Sequence, residues 1–198
     1  MYDLPVTIDI GDKVCQIRDN GDYRMILDCF IVLQDLELAD NYERVLSALI
    51  IFYEDLDVDS VLELSEEELT ERVKKMYDFF ECGQDTTHAN KRNYKLMDWK
   101  QDSQLVMSAI NNVAKKEVRA EEYVHWWTFM GYYMSIGESA FATVVSIRYK
   151  ILAGKKLEKY EREFRNDNPQ YFIWNHKSIE EQEAEQYIRE LWNQGNNT

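Results

Sequence analysis

Glycine, proline and cysteine are all scarce, with seven, two and three residues in a chain of 198. With so few breakers the chain can form long helices, and its charged residues recur against apolar ones at spacings of three and four, which predicts a mainly α fold. Cys15, Cys29 and Cys82 are scattered and odd in number, with no Cys-x-x-Cys pair. Neither a disulfide framework nor a zinc site is expected, and reduced thiols fit a cytoplasmic protein. Positive charge is short as well: 37 Asp and Glu face 23 Lys and Arg, a net charge of −14. Such a chain is repelled by phosphate backbones and anionic bilayers, which excludes nucleic acid and membrane as expected partners. No apolar run approaches the roughly 18 residues of a spanning helix, and MYDLPVTIDI lacks a basic leader region. Gly-x-Ser-x-Gly elbows and glycine-rich phosphate loops are missing too, so no enzyme and no cofactor are expected.

What is present organises into a helical bundle with a small N-terminal β-hairpin. VTIDI and KVCQI, separated by Gly11 and Asp12, read as the hairpin. After Gly21 the pattern YRMILDCFIVLQDL turns helical, starting near Asp22. Asp40 before Glu43, Ser65 before Glu68 and Ser178 before Glu181 place capping acceptors that predict helices near 41–54, 66–80 and 179–192, the two serine cases matching the strict capping box. CGQDTTHANKRNYK opens a long polar connection near 82–98 that divides an N-terminal part from a C-terminal one. A helix over about 103–117 follows. One helical domain over 1–154 and a C-terminal helical extension over 155–198 are expected.

The densest apolar stretch is EEYVHWWTFMGYYMSI, Glu121 to Ile136. As a helix it aligns Tyr123, Trp127, Met130 and Met134 in one row and Trp126, Phe129, Tyr133 and Ile136 in another. Thr128, Gly131 and Ser135 form a small-residue face open to close backbone approach. These features predict a central bundle helix whose aromatics are scaffold rather than a recognition surface. Glu122 and His125 make a Glu-x-x-His, half of a di-iron carboxylate site, but His88 and His176 have no glutamate three residues earlier. A capping or structural histidine, and no metal, is the expectation.

Two charge features remain. Glu54 to Glu71 holds nine acidic residues and no basic one. It reads either as a solvated helix start, where carboxylates suit the N-terminus, or as a docking site for a basic partner. Leu56, Val58, Leu62 and Leu64 within it lack a core helix of their own, which points to self-association. Arg148 to Arg165 carries a basic surplus with Glu158–Arg162 and Glu161–Arg165 at helical spacing, and reads as a paired, exposed helix.

Several segments, in this order, resemble the tail-assembly-chaperone-like family of tailed phages and prophages of Gram-positive bacteria. Leu4, Pro5, Ile8, Ile10 and Gly11 match its start, and GDYR, ending in Arg24, stands where that family shows Asp-Phe-Arg. Asp102 with Val106, Ala109 and Ile110 resembles its next helix. Val124, His125, Trp126, Trp127, Thr128 and Phe129 match its Leu-His-Trp-Trp-x-Phe, and Phe141, Ile147 and Arg148 match the helix that follows. The resemblance spans about 4–149. It implies a tail assembly factor in the host bacterial cytoplasm, a chaperone that binds the tape-measure protein or other tail proteins and self-associates. The alternative is a structural adaptor or completion protein retained in the virion. Beyond the resemblance, a C-terminal helix from Ser178 to about Gln194 presents Tyr187, Ile188 and Leu191 as candidate partner-binding residues, with docking on its own core as the other reading.

Overall fold

The computed structural model describes residues 3–34, 40–84 and 94–174. Strands β1 (Thr7–Ile10) and β2 (Lys13–Gln16) pair antiparallel, with Ile8 opposite Cys15. Gly11 takes φ +53 in the turn. The two-residue period puts Ile8, Ile10, Cys15 and Ile17 on the inner face, and Ile10, Cys15 and Ile17 are buried. A 3-10 turn, Arg18–Gly21, then reverses the chain into α1 (Tyr23–Gln34). Gly21 is at φ +75, and a Cβ there would sit 2.9 Å from the Phe79 ring and 3.2 Å from the His125 imidazole. No larger residue fits this corner without displacing one of those rings.

Helix α2 (Asn41–Phe52) packs along α1 and starts at Asp40, whose carboxylate accepts the Tyr42 and Glu43 amides. A five-residue helix, α3 (Val58–Leu62), is closed by a reciprocal capping pair, Asp57 with Ser60. Helix α4 (Glu66–Phe80) begins at Ser65, which accepts from the Glu68 amide. The Glu68 carboxylate is bonded elsewhere, to Arg72 at 3.1 Å and to Lys13 of β2 at 3.3 Å. Arg72 is buried, also bridges Asp55 at 2.7 Å and lies over the Tyr53 ring, whose hydroxyl donates to the Arg72 carbonyl. Two of the nine acidic groups are thus committed to one internal arginine. Leu56 and Val61 are buried and Leu64 packs against the core, so only Val58 and Leu62 of this stretch's apolar residues are largely exposed, which narrows the expectation that the set lacks a core of its own.

The second half adds α5 (Ser103–Ala114), α6 (Trp126–Met134), α7 (Ala140–Leu152) and α8 (Lys159–Asp167). Both halves feed a single hydrophobic core: Tyr23, Phe52 and Phe80 share it with Ile110, Trp126 and Phe129. The mainly α fold with an N-terminal hairpin is therefore as expected.

Three local expectations are corrected. The aromatic helix has nine residues: Tyr123 lies before it, exposed, and only Trp126 and Phe129 are fully buried along it. Among the described residues its Thr128–Gly131–Ser135 face receives no backbone, since Gly131 is exposed and none of them stands within 4 Å of a Cβ placed there. Nor is Arg148–Arg165 one exposed paired helix. Gly154, at φ +65, separates α7 from α8. Arg148 and Glu161 are buried, and Glu161 bonds Lys150 at 2.6 Å rather than Arg165.

The expected boundary at 154 falls in that break. Beyond it Leu157 is buried, and the Ile173 carbonyl accepts from Gln101 at 2.8 Å. The expected helix 179–192, its candidates Tyr187, Ile188 and Leu191, and both His88 and His176 lie outside the described residues.

Candidate functional site

Asp22, Tyr23 and Arg24 clasp the segment that leads into α6. The Tyr23 amide donates to the Val124 carbonyl at 2.9 Å, and the Asp22 carboxylate accepts the Val124 amide at 2.9 Å. The same carboxylate takes the Arg24 amide and guanidinium, and the guanidinium also donates to the Glu121 carbonyl. Tyr123 adds a hydroxyl bond to the Asn20 carbonyl at 2.8 Å. Residues about a hundred positions apart are thereby held as if in a short sheet, and Asp22 with His125 forms a bridge.

His125 caps α6. Its Nδ1 accepts the Trp127 amide at 3.0 Å, and its Nε2 lies 2.9 Å from the Pro5 carbonyl, which can only accept. One neutral tautomer, protonated on Nε2, satisfies both bonds. Burial pushes the imidazole below its ordinary value of 6.5, against the opposing pulls of the Pro5 carbonyl and Asp22, and so favours this uncharged form.

The two tryptophans turn back onto α4. The Trp126 indole donates to the Phe80 carbonyl and the Trp127 indole to the Phe79 carbonyl, each at 3.0 Å. Those carbonyls lie in the last turn of the helix, and although that of Phe79 also accepts the Cys82 amide at 3.0 Å, the indoles add to its C-terminal cap. Trp126, 1% exposed, also packs on Phe129, which stacks on Tyr23 with centroids 4.3 Å apart and planes 6° apart. Trp127 is half-buried.

Asp102 and Arg148 form the second constellation. The guanidinium meets the carboxylate at 2.6 and 2.9 Å, fully buried, and donates further to the Leu96 and Tyr171 carbonyls. Trp174 covers it at 4.2 Å. Asp102 also accepts the Asp98 amide, while Asp98 accepts from Lys100 and Gln101. Burial opposes the Asp98 charge, but these amides and Lys95 outweigh it and hold that carboxyl below its usual range. One ion pair therefore joins α5, α7, the irregular segment 94–98 and the chain beyond α8.

All seven motif residues, Arg24, Asp102, His125, Trp126, Trp127, Phe129 and Arg148, are thus engaged inside the chain, and they divide into two constellations rather than one site. Sequence reasoning met Asp22 only as part of GDYR, without a role, and missed Asp98 and Arg72. Asp22 carried a readable signal, an Asx residue at the expected start of α1. Among the described residues no group of three or more His, Cys, Asp or Glu is placed to hold a metal ion, and no helix is long and apolar enough to cross a membrane. Chemistry that could engage a partner lies on the surface. One such surface is a groove between α1, α2 and α3 bearing Asp28, Asp57 and Val58.

A family model described as Bacteriophage Gp15 protein matches residues 1–171. No curated protein and no solved structure matches the chain.

Proposed function

We propose, from the premise that the chain belongs to the Bacteriophage Gp15 protein family, that it is a non-enzymatic tail assembly factor, a chaperone that binds the tape-measure protein during tail morphogenesis in the host cytoplasm. The observation that carries this reading is the engagement of every motif side chain by internal bonds or packing, from the His125 cap and the stacked Phe129 to the Asp102–Arg148 pair. A motif spent on architecture marks a protein whose work is done by the surfaces that architecture presents. Those surfaces are acidic with isolated apolar side chains, suited to holding an amphipathic helix without burying it irreversibly.

Co-expression with the adjacent phage tail genes, followed by affinity isolation, tests the proposal. The tape-measure protein should co-purify and stay in the soluble fraction only when this chain is present. If its solubility is independent of the chain, or if the chain is found stoichiometrically in purified virions, the chaperone role is wrong, and virion retention would identify a structural adaptor.

A further inference from the structure

Among the described residues, two surface patches of opposite charge remain after the scaffold is accounted for, one floored by buried apolar side chains with exposed Val58 and Leu62 at its rim, the other carrying exposed apolar side chains. The first is the groove of about 450 Å³ where α1, the end of α2 and the start of α3 meet. Met25, Ile50, Leu56 and Val58 supply its apolar lining, with Asp28 and Asp57 beside them. Arg18 and Asp19 also line it. The Arg18 guanidinium is already spread over the carbonyls of Ile50, Ile51, Tyr53 and Leu56 at 2.9 to 3.2 Å. Its charge is answered by the negative end of α2, so the three carboxylates set the sign of the groove. Val58 and Leu62, four positions apart on α3, are 68% and 64% exposed and continue the apolar strip outward.

The second patch is the knuckle where α7 ends. Ile151 and Leu152 are exposed there, Gly154 turns the chain, and Lys155, Lys156 and Lys159 follow, all exposed; Lys159 is offset by Glu163 at 3.8 Å and Lys155 leans on the Tyr149 ring, so Lys155 and Lys156, against Glu158, carry the positive charge. Helix α7 packs on α5, whereas the groove belongs to α1, α2 and α3. The two patches therefore sit on different elements, and each has what the other is short of: the groove offers apolar depth with negative charge, and the knuckle offers protruding aliphatic side chains with positive charge.

We propose that the groove of one copy receives the Ile151–Lys159 knuckle of a second copy in a head-to-tail contact. Such a contact is heterologous: each copy uses a different patch from the one its neighbour presents, so a free groove and a free knuckle remain and addition continues until a ring closes or a filament grows. A chain with net charge −14 resists association at long range, which makes the local pairing of opposite charges the feature that selects this contact over others. The proposal stands on the chain's own surface chemistry, and its outcome is independent of whether the tape-measure protein is the client.

Sedimentation velocity on the purified chain over a wide concentration series tests it. Two variants are compared, Asp28→Lys with Val58→Lys in the groove, and Lys155→Ser with Lys156→Ser in the knuckle, so that the two altered patches do not complement each other; helical circular dichroism verifies folding. The wild type should grow in mass with concentration, and each variant alone should associate about tenfold more weakly or less. An equimolar mixture should form one-to-one pairs that stop there, because one variant retains only its knuckle and the other only its groove. Should either double variant fail to fold, the exposed single changes Val58→Ser and Lys156→Ala carry the same comparison by their weakening of association. A wild type that stays monomeric, or that associates only when a tail protein is added, overturns the proposal. So does association indifferent to both variants, or a mixture that recovers no pairs.

Discussion

At the scale of single residues, Trp126 and Trp127 have the same bond geometry and different burial. Trp126→Ala removes a fully buried indole and should destabilise by about 3–5 kcal/mol, clearly more than the same change at half-buried Trp127. Trp126→Phe keeps most of the packing but leaves the Phe80 carbonyl without its donor, a loss of about 1–3 kcal/mol if water does not replace it. Chemical denaturation of the three variants should rank them in that order. The Asp102–Arg148 pair should be less forgiving. Arg148→Met or Asp102→Ala strands a buried charge, and either should cost about 3–5 kcal/mol. His125 adds a pH dependence. Its folded value is lowered, so the unfolded chain binds the proton more readily; the stabilisation is complete above 6.5 and is lost as pH falls below 6.5 toward the folded value. His125→Asn supplies another capping oxygen, so it should keep more stability than His125→Ala and should flatten this part of the stability–pH curve, as urea titrations at a series of pH values would show. A capping or structural role for His125 was legible, but its place as the N-terminal cap of α6 was not, because the apolar run continues on both sides of it. The Asp102–Arg148 pairing was not, since its members are 46 positions apart and no spacing rule connects them.

At the scale of elements, two glycines of similar appearance in the sequence have opposite roles. Gly21 holds a left-handed corner against the Phe79 and His125 rings, so Gly21→Ala should loosen the clasp between α1 and α6 and lower the melting temperature. Gly131 lies on the open face of α6, and Gly131→Ala should stabilise by about 0.5–1 kcal/mol through helix propensity alone. Thermal melts of the two variants should move in opposite directions. Periodicity made the existence of α1, α2, α4 and α5 readable, and capping residues located several starts. It failed at α6 because continuous apolar character cannot show where a helix begins. There, the Asp22 and Tyr23 clasp draws Tyr123 and Val124 into an extended approach and delays the helix to Trp126. It failed again after Arg148, where charge spacing suggested an exposed helix while Glu161 was already committed to Lys150.

For the whole molecule, the long connection separates two sequence halves without separating two cores. Trp126 and Trp127 cap α4 from across it, and the GDYR corner grips the approach to α6, so the halves should unfold in one cooperative transition. The His-Trp-Trp-x-Phe segment builds this shared core, and we infer from its internal engagement that it is not itself a partner contact. The most direct check is the thermal midpoint of Trp127→Ala, measured on the same preparation used for capture of tail proteins. A scaffold role predicts a midpoint lower by about 5 °C or more, with capture retained in proportion to the folded fraction below the transition. An unchanged midpoint together with lost capture would make Trp127 a contact residue and contradict that role.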